Sequence, residues 1–136
     1  MCDIYGILGS MELALTTDGT RAALRVLGRV SMAETTVLSE YLRVARENGA
    51  VRCVLDLAEC TELPTTIVAV LLRESARLSE AGGALALTGV ADQNPFLRDA
   101  VAAGRFLHYR CVEDAFSGDP NRTEKNPPPE PFPARP

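Results

Sequence analysis

The sequence predicts a single α/β domain: a mixed β-sheet of four to five strands opened by a β-hairpin, with about four helices. Three observations carry this. An Asp-Gly pair separates two apolar runs near the start of the chain; segments of helical periodicity then alternate with short buried-strand runs; and after Phe116 the apolar residues all but stop. Alternation of helices with buried strands implies parallel neighbours, and the hairpin adds an antiparallel pair.

Taking the elements in order, Glu12–Thr16 and Ala22–Leu27 flank Thr17-Asp18-Gly19-Thr20, a good hairpin turn. Thr35 or Thr36 can cap a helix running through Asn48, where Val37, Leu38, Tyr41, Leu42, Val44 and Ala45 form an apolar stripe and Asn48-Gly49 ends it. Val51–Leu57 is nearly unbroken apolar sequence, which suits a strand covered on both faces. A second helix is expected from about Thr65 to Ala81, burying Ile67, Val68, Leu71, Leu72 and Leu78 and turning Arg73, Glu74, Arg77 and Glu80 to water, with Gly82-Gly83 as its stop. Ala84–Thr88 is another buried strand. Asn94–Ala103 is a short helix with Pro95 in its first turn and Gly104 beyond it. Leu107–Tyr109 and Val112–Phe116 supply a last strand and a helical turn.

Residues 1–10 are read as a short leader and 11–116 as the compact domain. From Ser117 the chain holds seven of its nine prolines and one large apolar residue, Phe132. Residues 117–136 are therefore expected to be a disordered Pro-rich tail, too poor in burial to offset the entropy of ordering it. Pro127–Pro133 reads as an extended polyproline stretch.

Composition narrows the function. The chain has 136 residues and a net charge of −4, its 14 basic residues are spread along it, and only 5% of residues are aromatic. No basic stripe or stacking platform invites nucleic acid. Four scattered cysteines without a CxxC, and one histidine, indicate neither a zinc site nor a disulfide framework. No cofactor is expected. Asp3 stands where a secretory signal needs basic residues, and no stretch reaches the ~20 apolar residues that span a bilayer, so a cytoplasmic chain without membrane insertion is expected.

Chemistry concentrates at Leu63-Pro64-Thr65-Thr66-Ile67. Pro64 ends strand pairing yet suits a first helical turn, which sets Thr65 and Thr66 at or beside a helix N-terminus, where unpaired N–H groups favour a hydroxyl oxygen or an anion. Three readings stand: the hydroxyls only cap the helix, they also accept phosphate, or they serve some other ligand role. Asp56, inside an apolar strand, reads as bonded to a neighbouring loop, and His108, without a nearby Cys, Ser or carboxylate in sequence, as structural. A glycine-rich phosphate loop, a nucleophile with its base and an acidic magnesium cluster are all missing from the sequence, so no enzyme is expected.

Several segments resemble the STAS domain, the fold of bacterial anti-sigma-factor antagonists. They are Val26-Leu-Gly28, Val54-Leu-Asp-Leu57 with Thr61, Val70-Leu-Leu72, Glu80-Ala-Gly-Gly83, Leu87-Thr-Gly-Val90 and Val112-Glu-Asp-Ala-Phe116. In relatives that work as phosphorylation switches the loop reads Asp-Ser-Ser-Gly, and a partner kinase phosphorylates the first Ser. The matching positions here are Pro64-Thr65-Thr66-Ile67, so the resemblance puts Thr65 at the phosphoacceptor position, with Pro64 in place of Asp and Ile67 in place of Gly. Ser31 stands where many relatives carry Asp. The resemblance implies a non-catalytic binding module whose partner is a protein: an anti-sigma factor, a Ser/Thr switch kinase, or other STAS chains. Its contact residues would be Ser31, Leu63, Pro64, Thr65, Thr66, Ile67, Gly89 and Asn94, on loops that should converge beside the second helix. The alternative is an unphosphorylated STAS subunit of a transport, lipid-handling or signalling complex.

Overall fold

The computed structural model describes residues 2–8 and 11–117. Seven strands and four helices follow one another among these residues: β1 Cys2–Leu8, β2 Met11–Asp18, β3 Arg21–Arg29, α1 Thr35–Glu47, β4 Arg52–Asp56, β5 Cys60–Glu62, α2 Ile67–Glu80, β6 Ala84–Thr88, α3 Pro95–Ala102, β7 Leu107–Tyr109 and α4 Val112–Ser117. The strands form one sheet in the order β1-β2-β3-β4-β6-β7, with β5 also paired to β3. The pairs β1–β2 and β2–β3 are antiparallel and the remaining pairs are parallel. This is the mixed-sheet α/β architecture the sequence predicts.

The hairpin closes through Gly19-Thr20 between Asp18 and Arg21, with Gly19 at φ +66°. In β2 and β3, alternate residues Met11, Leu13, Leu15, Ala22, Leu24 and Val26 are buried, so one face of the pair joins the core. The central strands are covered on both faces. Cys53 and Leu55, with Leu85 and Leu87, face the main core under α1, α2 and α3, whereas Val54 and Ala86 face a smaller cluster with Tyr109 and Ala115 of α4. That two-sided burial explains the nearly unbroken apolar run at Val51–Leu57. Fully burying each of these leucines contributes about 1.5–3 kcal/mol.

Two strands were not foreseen. β1 lies in the expected leader, pairing from Cys2↔Thr17 to Leu8↔Met11; its sequence does not alternate cleanly, and Gly6 within it weakens a strand pattern. β5 is three residues long, below the length at which periodicity can be read, and pairs with β3 at Gly28 and Arg29, past the end of β4. At the other end of the chain α4 includes Ser117, and the rest of the expected Pro-rich tail lies outside the described residues.

One burial expectation is corrected. The sequence pattern puts Glu74 on the wet face of α2, but it is 0% exposed, because positions 67, 71, 74 and 78 share the buried face of the helix. Its carboxylate is met there by α1: Arg46 Nη1 lies 3.1 Å from Oε1, and Ser39 Oγ donates to Oε2 at 3.2 Å. Arg77 and Arg73 approach Oε2 at 3.5 and 3.9 Å.

Gly83 and Gly89 allow close backbone approaches. A Cβ on Gly83 would collide with the Val51 carbonyl, and one on Gly89, at φ +74°, with the backbone of Ala58.

Candidate functional site

Three loops meet at the C-terminal ends of β3, β5 and β6. Val30 N–H donates to the Glu62 carbonyl at 3.0 Å and Leu63 N–H to the Gln93 carbonyl at 3.1 Å, which ties Val30–Glu34 and Gly89–Asn94 to the segment before α2. The expected convergence of these loops is present in the backbone.

Asn94 is the pivot of the arrangement. It is 2% exposed, and each end of its amide is used twice. Oδ1 accepts from the N–H groups of Phe96 (2.8 Å) and Leu97 (3.1 Å), capping α3, while Nδ2 donates to the carbonyls of Leu63 (3.0 Å) and Pro64 (2.9 Å). One buried side chain thus fixes the start of α3 against the loop that leads into α2. Its neighbour Gln93 works similarly: Nε2 donates to the carbonyls of Leu57 and Gly89, both at 2.9 Å, and Oε1 accepts from Ala91 N–H at 2.7 Å. Buried amides with every end satisfied hold loops rigid.

On this support the chain turns at Pro64, whose carbonyl accepts from Ile67 N–H at 3.0 Å. Thr65 and Thr66 occupy the turn and both are exposed. The capping expectation is corrected here: Thr66, the residue before α2, sits at φ −76° and ψ −6° and makes no side-chain capping bond. A capping hydroxyl needs an extended backbone at the cap residue, and the turn supplies a helical one. Both hydroxyls are left facing solvent beside the first turn of α2, where N–H groups lack intrahelical partners.

The other candidate residues divide by burial. Pro64 is half-buried and Ser31 exposed. Leu63 (4% exposed), Ile67 (0%) and Asn94 are buried: their side chains form the floor beneath the loop. Ile67 in particular anchors the N-terminus of α2 in the main core. Gly89 packs on Ala58 as described. Asp56 is half-buried, its Oδ1 accepting from Ala58 N–H and Thr88 Oγ1, both at 3.1 Å, so it braces the loop after β4 as its sequence reading had it. His108 is exposed on β7.

Around Ser31 the sequence reading missed a reciprocal cap. Glu34 Oε1 accepts from Ser31 N–H at 2.8 Å, and Glu34 N–H donates to Ser31 Oγ at 3.3 Å. The signal was present as Ser-Met-Ala-Glu, the Ser-x-x-Glu capping box. It fixes a turn ahead of α1, so Glu34 takes the position before the helix, and Thr35, expected as a cap, instead donates its hydroxyl to the Met32 carbonyl at 2.7 Å. The turn lifts Met32 to 60% exposure.

The resulting surface has two depressions flanking the threonine turn. One, of about 440 Å³, lies between the Ser31-Met32 turn and Glu62–Pro64. The other, of about 510 Å³, lies between α2 and α3 and has Thr65 and Phe96 on its walls. Phe96 is 59% exposed. Apolar side chains and hydroxyls share the lining of these hollows with a few charged residues, Arg29 and Glu62 in the first and Asp99 and Arg105 in the second, and no group of three or more His, Cys, Asp or Glu able to hold a metal occurs among the described residues. The thiols of Cys53 and Cys60 are buried, and burial pushes both up, Cys53 to about 12. No helix among the described residues is long and apolar enough to cross a membrane.

The family model described as "Mlab, STAS domain" matches residues 13–108, most of the chain and every element from β2 to β7. The chain belongs to the STAS domain family. Solved structures agree on the fold. An anti-sigma factor antagonist from Mycobacterium paratuberculosis superposes with a TM-score of 0.62 at 17% identity, covering 79% of this chain and 92% of that one. The Bacillus cell fate determinant SpoIIAA in its phosphorylated form gives 0.63 at 11% identity, covering 75% and 93%. No curated protein sequence matches the chain. The fold is thus common to proteins of very different sequence.

Proposed function

We propose that this STAS domain is a non-catalytic binding module, an anti-sigma-factor antagonist or similar partner-switching regulator, that docks a protein through the threonine turn and is controlled by phosphorylation there. The observation that carries the reading is the pair of solvent-facing hydroxyls at Thr65 and Thr66, on a turn that Asn94 holds rigid and that the helix does not use for capping. A phosphate on Thr65 would bring about −1.5 to −2 charges to the mouth of the α2–α3 groove. Next to the first turn of α2 that charge is tolerated by the fold, with about 0.3–1 kcal/mol in its favour. A partner that had to desolvate it would lose several times as much. Binding is then switched while the domain stays folded. The partner is an anti-sigma factor or a Ser/Thr switch kinase, and the setting is cytoplasmic.

A second reading, a constitutive STAS subunit of a transport, lipid-handling or signalling assembly, is favoured by one feature of the loop. Ile67 is fully buried in the core, at the position where the resemblance gives switch relatives a Gly.

The test is titration calorimetry against the anti-sigma factors and switch kinases encoded beside this gene. Thr65→Asp is expected to lower affinity at least about tenfold with the melting temperature nearly unchanged. Equal binding by both proteins would remove the switch, and unfolding of Thr65→Asp would make the turn a structural element only.

A further inference from the structure

The groove between α2 and α3 carries both halves of a contact. Its trough is apolar, lined by Val68, Ala69 and Leu72 from α2, by Ala100 from α3 and by Ala103 just beyond its end, and beside it stands Phe96 as an exposed knob. Asn94 fixes the knob's position by accepting the Phe96 N–H. Two charged residues complete the lining, Asp99 and Arg105, both exposed.

Arg105 is unusual in this chain. Every other arginine among the described residues has a carboxylate or carbonyl to bond. Among the described residues Arg105 has neither, and Asp99 likewise has no cation. A surface that offers a knob and a trough, an unpaired acid and an unpaired base, is its own complement. That is what a two-fold contact between identical chains requires, because each patch then meets a copy of itself and residue i faces j while j faces i.

We propose that a second copy of this chain occupies the α2–α3 groove: Phe96 of each protomer enters the trough of the other, and Asp99 of each pairs with Arg105 of the other. The patch is neutral, so self-association meets no local charge repulsion. Aromatic anchors seated in a pocket dominate such contacts, and the cross-pairs set their register. Thr65 lies on the wall of the same groove, so the dimer covers the threonine turn, and self-association excludes a partner docked there. The contact itself does not depend on whether Thr65 is ever phosphorylated.

Sedimentation velocity of the full chain from about 1 to about 500 µM tests this. The expected result is a concentration-dependent monomer–dimer equilibrium that Phe96→Asp abolishes. Asp99→Arg and Arg105→Asp should each raise the dimer dissociation constant about tenfold or more, and the double swap should return it to within about threefold of the parent. All three residues are exposed, so far-UV circular dichroism should be unchanged; if Phe96→Asp does unfold, Phe96→Ser replaces it. A chain that stays monomeric over the whole range, or a dimer insensitive to the Phe96 variant, overturns the proposal. Failure of the double swap to recover association overturns the charge pairing.

Discussion

Replacing Asn94 should damage the fold and the threonine turn together, and the size of the loss follows from its four hydrogen bonds. Asn94→Ala removes the cap of α3, which costs about 1 kcal/mol. It also strips the Leu63 carbonyl of its donor from Asn94, and a buried acceptor left without a partner costs about 1–3 kcal/mol. The Pro64 carbonyl suffers less, since Ile67 N–H still reaches it at 3.0 Å. The sum is about 2–4 kcal/mol, a large share of the 5–15 kcal/mol that typically holds a domain of this size. Asn94→Asp separates the two functions of the side chain. It keeps both bonds to α3 but sets a carboxylate against two carbonyl oxygens, so it should be at least as destabilising at neutral pH. Burial and those carbonyls raise the new carboxyl above its unfolded value. The deficit should therefore shrink as pH falls from about 7 toward about 4, where the protonated group can donate again. Urea unfolding followed by circular dichroism at several pH values measures both variants. A loss under about 0.5 kcal/mol for Asn94→Ala, the range of an ordinary surface change, would refute the claim that this residue holds the loop.

Other perturbations probe the core and the site. Glu74→Ala leaves Arg46 without its closest carboxylate between α1 and α2 and should cost about 2–4 kcal/mol in urea, slightly below a fully buried pair because the arginines reach solvent; an unchanged midpoint would mean that the ion cluster contributes nothing. Burial raises the Cys53 thiol from its ordinary 9.0 to about 12, so the fold favours the neutral form. The stability this provides is complete below about pH 9 and is lost as pH rises toward 12. At about pH 8, iodoacetamide should modify half-buried Cys111 while sparing Cys53 and Cys60 until denaturant is added, as read by peptide mass mapping; rapid labelling of Cys53 in the folded chain would contradict its burial.

The sheet and its helices were legible because their signals are local. The Asp-Gly turn, the two-sided apolar run at Val51–Leu57, and the Asn94-Pro95 start with Gly104 beyond the end each imply one backbone geometry. What escaped depends on contacts between segments. Glu74 looks like a surface residue until α1 brings Arg46 and Ser39 to it. β5 exists because β3 runs past β4 and needs a partner. Asn94 was legible as a candidate site residue and proves to be the floor of that site, since sequence gives a polar residue before Pro95 but not the two carbonyls above it. The threonines were placed correctly at the helix start, and their freedom from capping follows from the Pro64 turn. The Ser31–Glu34 capping box is readable from its spacing alone, but Thr35 and Thr36 offer a competing cap nearer the apolar stripe.

The account rests on Thr65 and Thr66 being presented for recognition by another protein. Its most direct test is phosphopeptide mapping of the chain after reaction with ATP and the Ser/Thr switch kinases of its own organism, beside Thr65→Ala and Thr66→Ala controls. Phosphate confined to this pair, and lost with the corresponding substitution, is the predicted result. Absence of phosphate, or phosphate only at other hydroxyls such as Ser31, would contradict it.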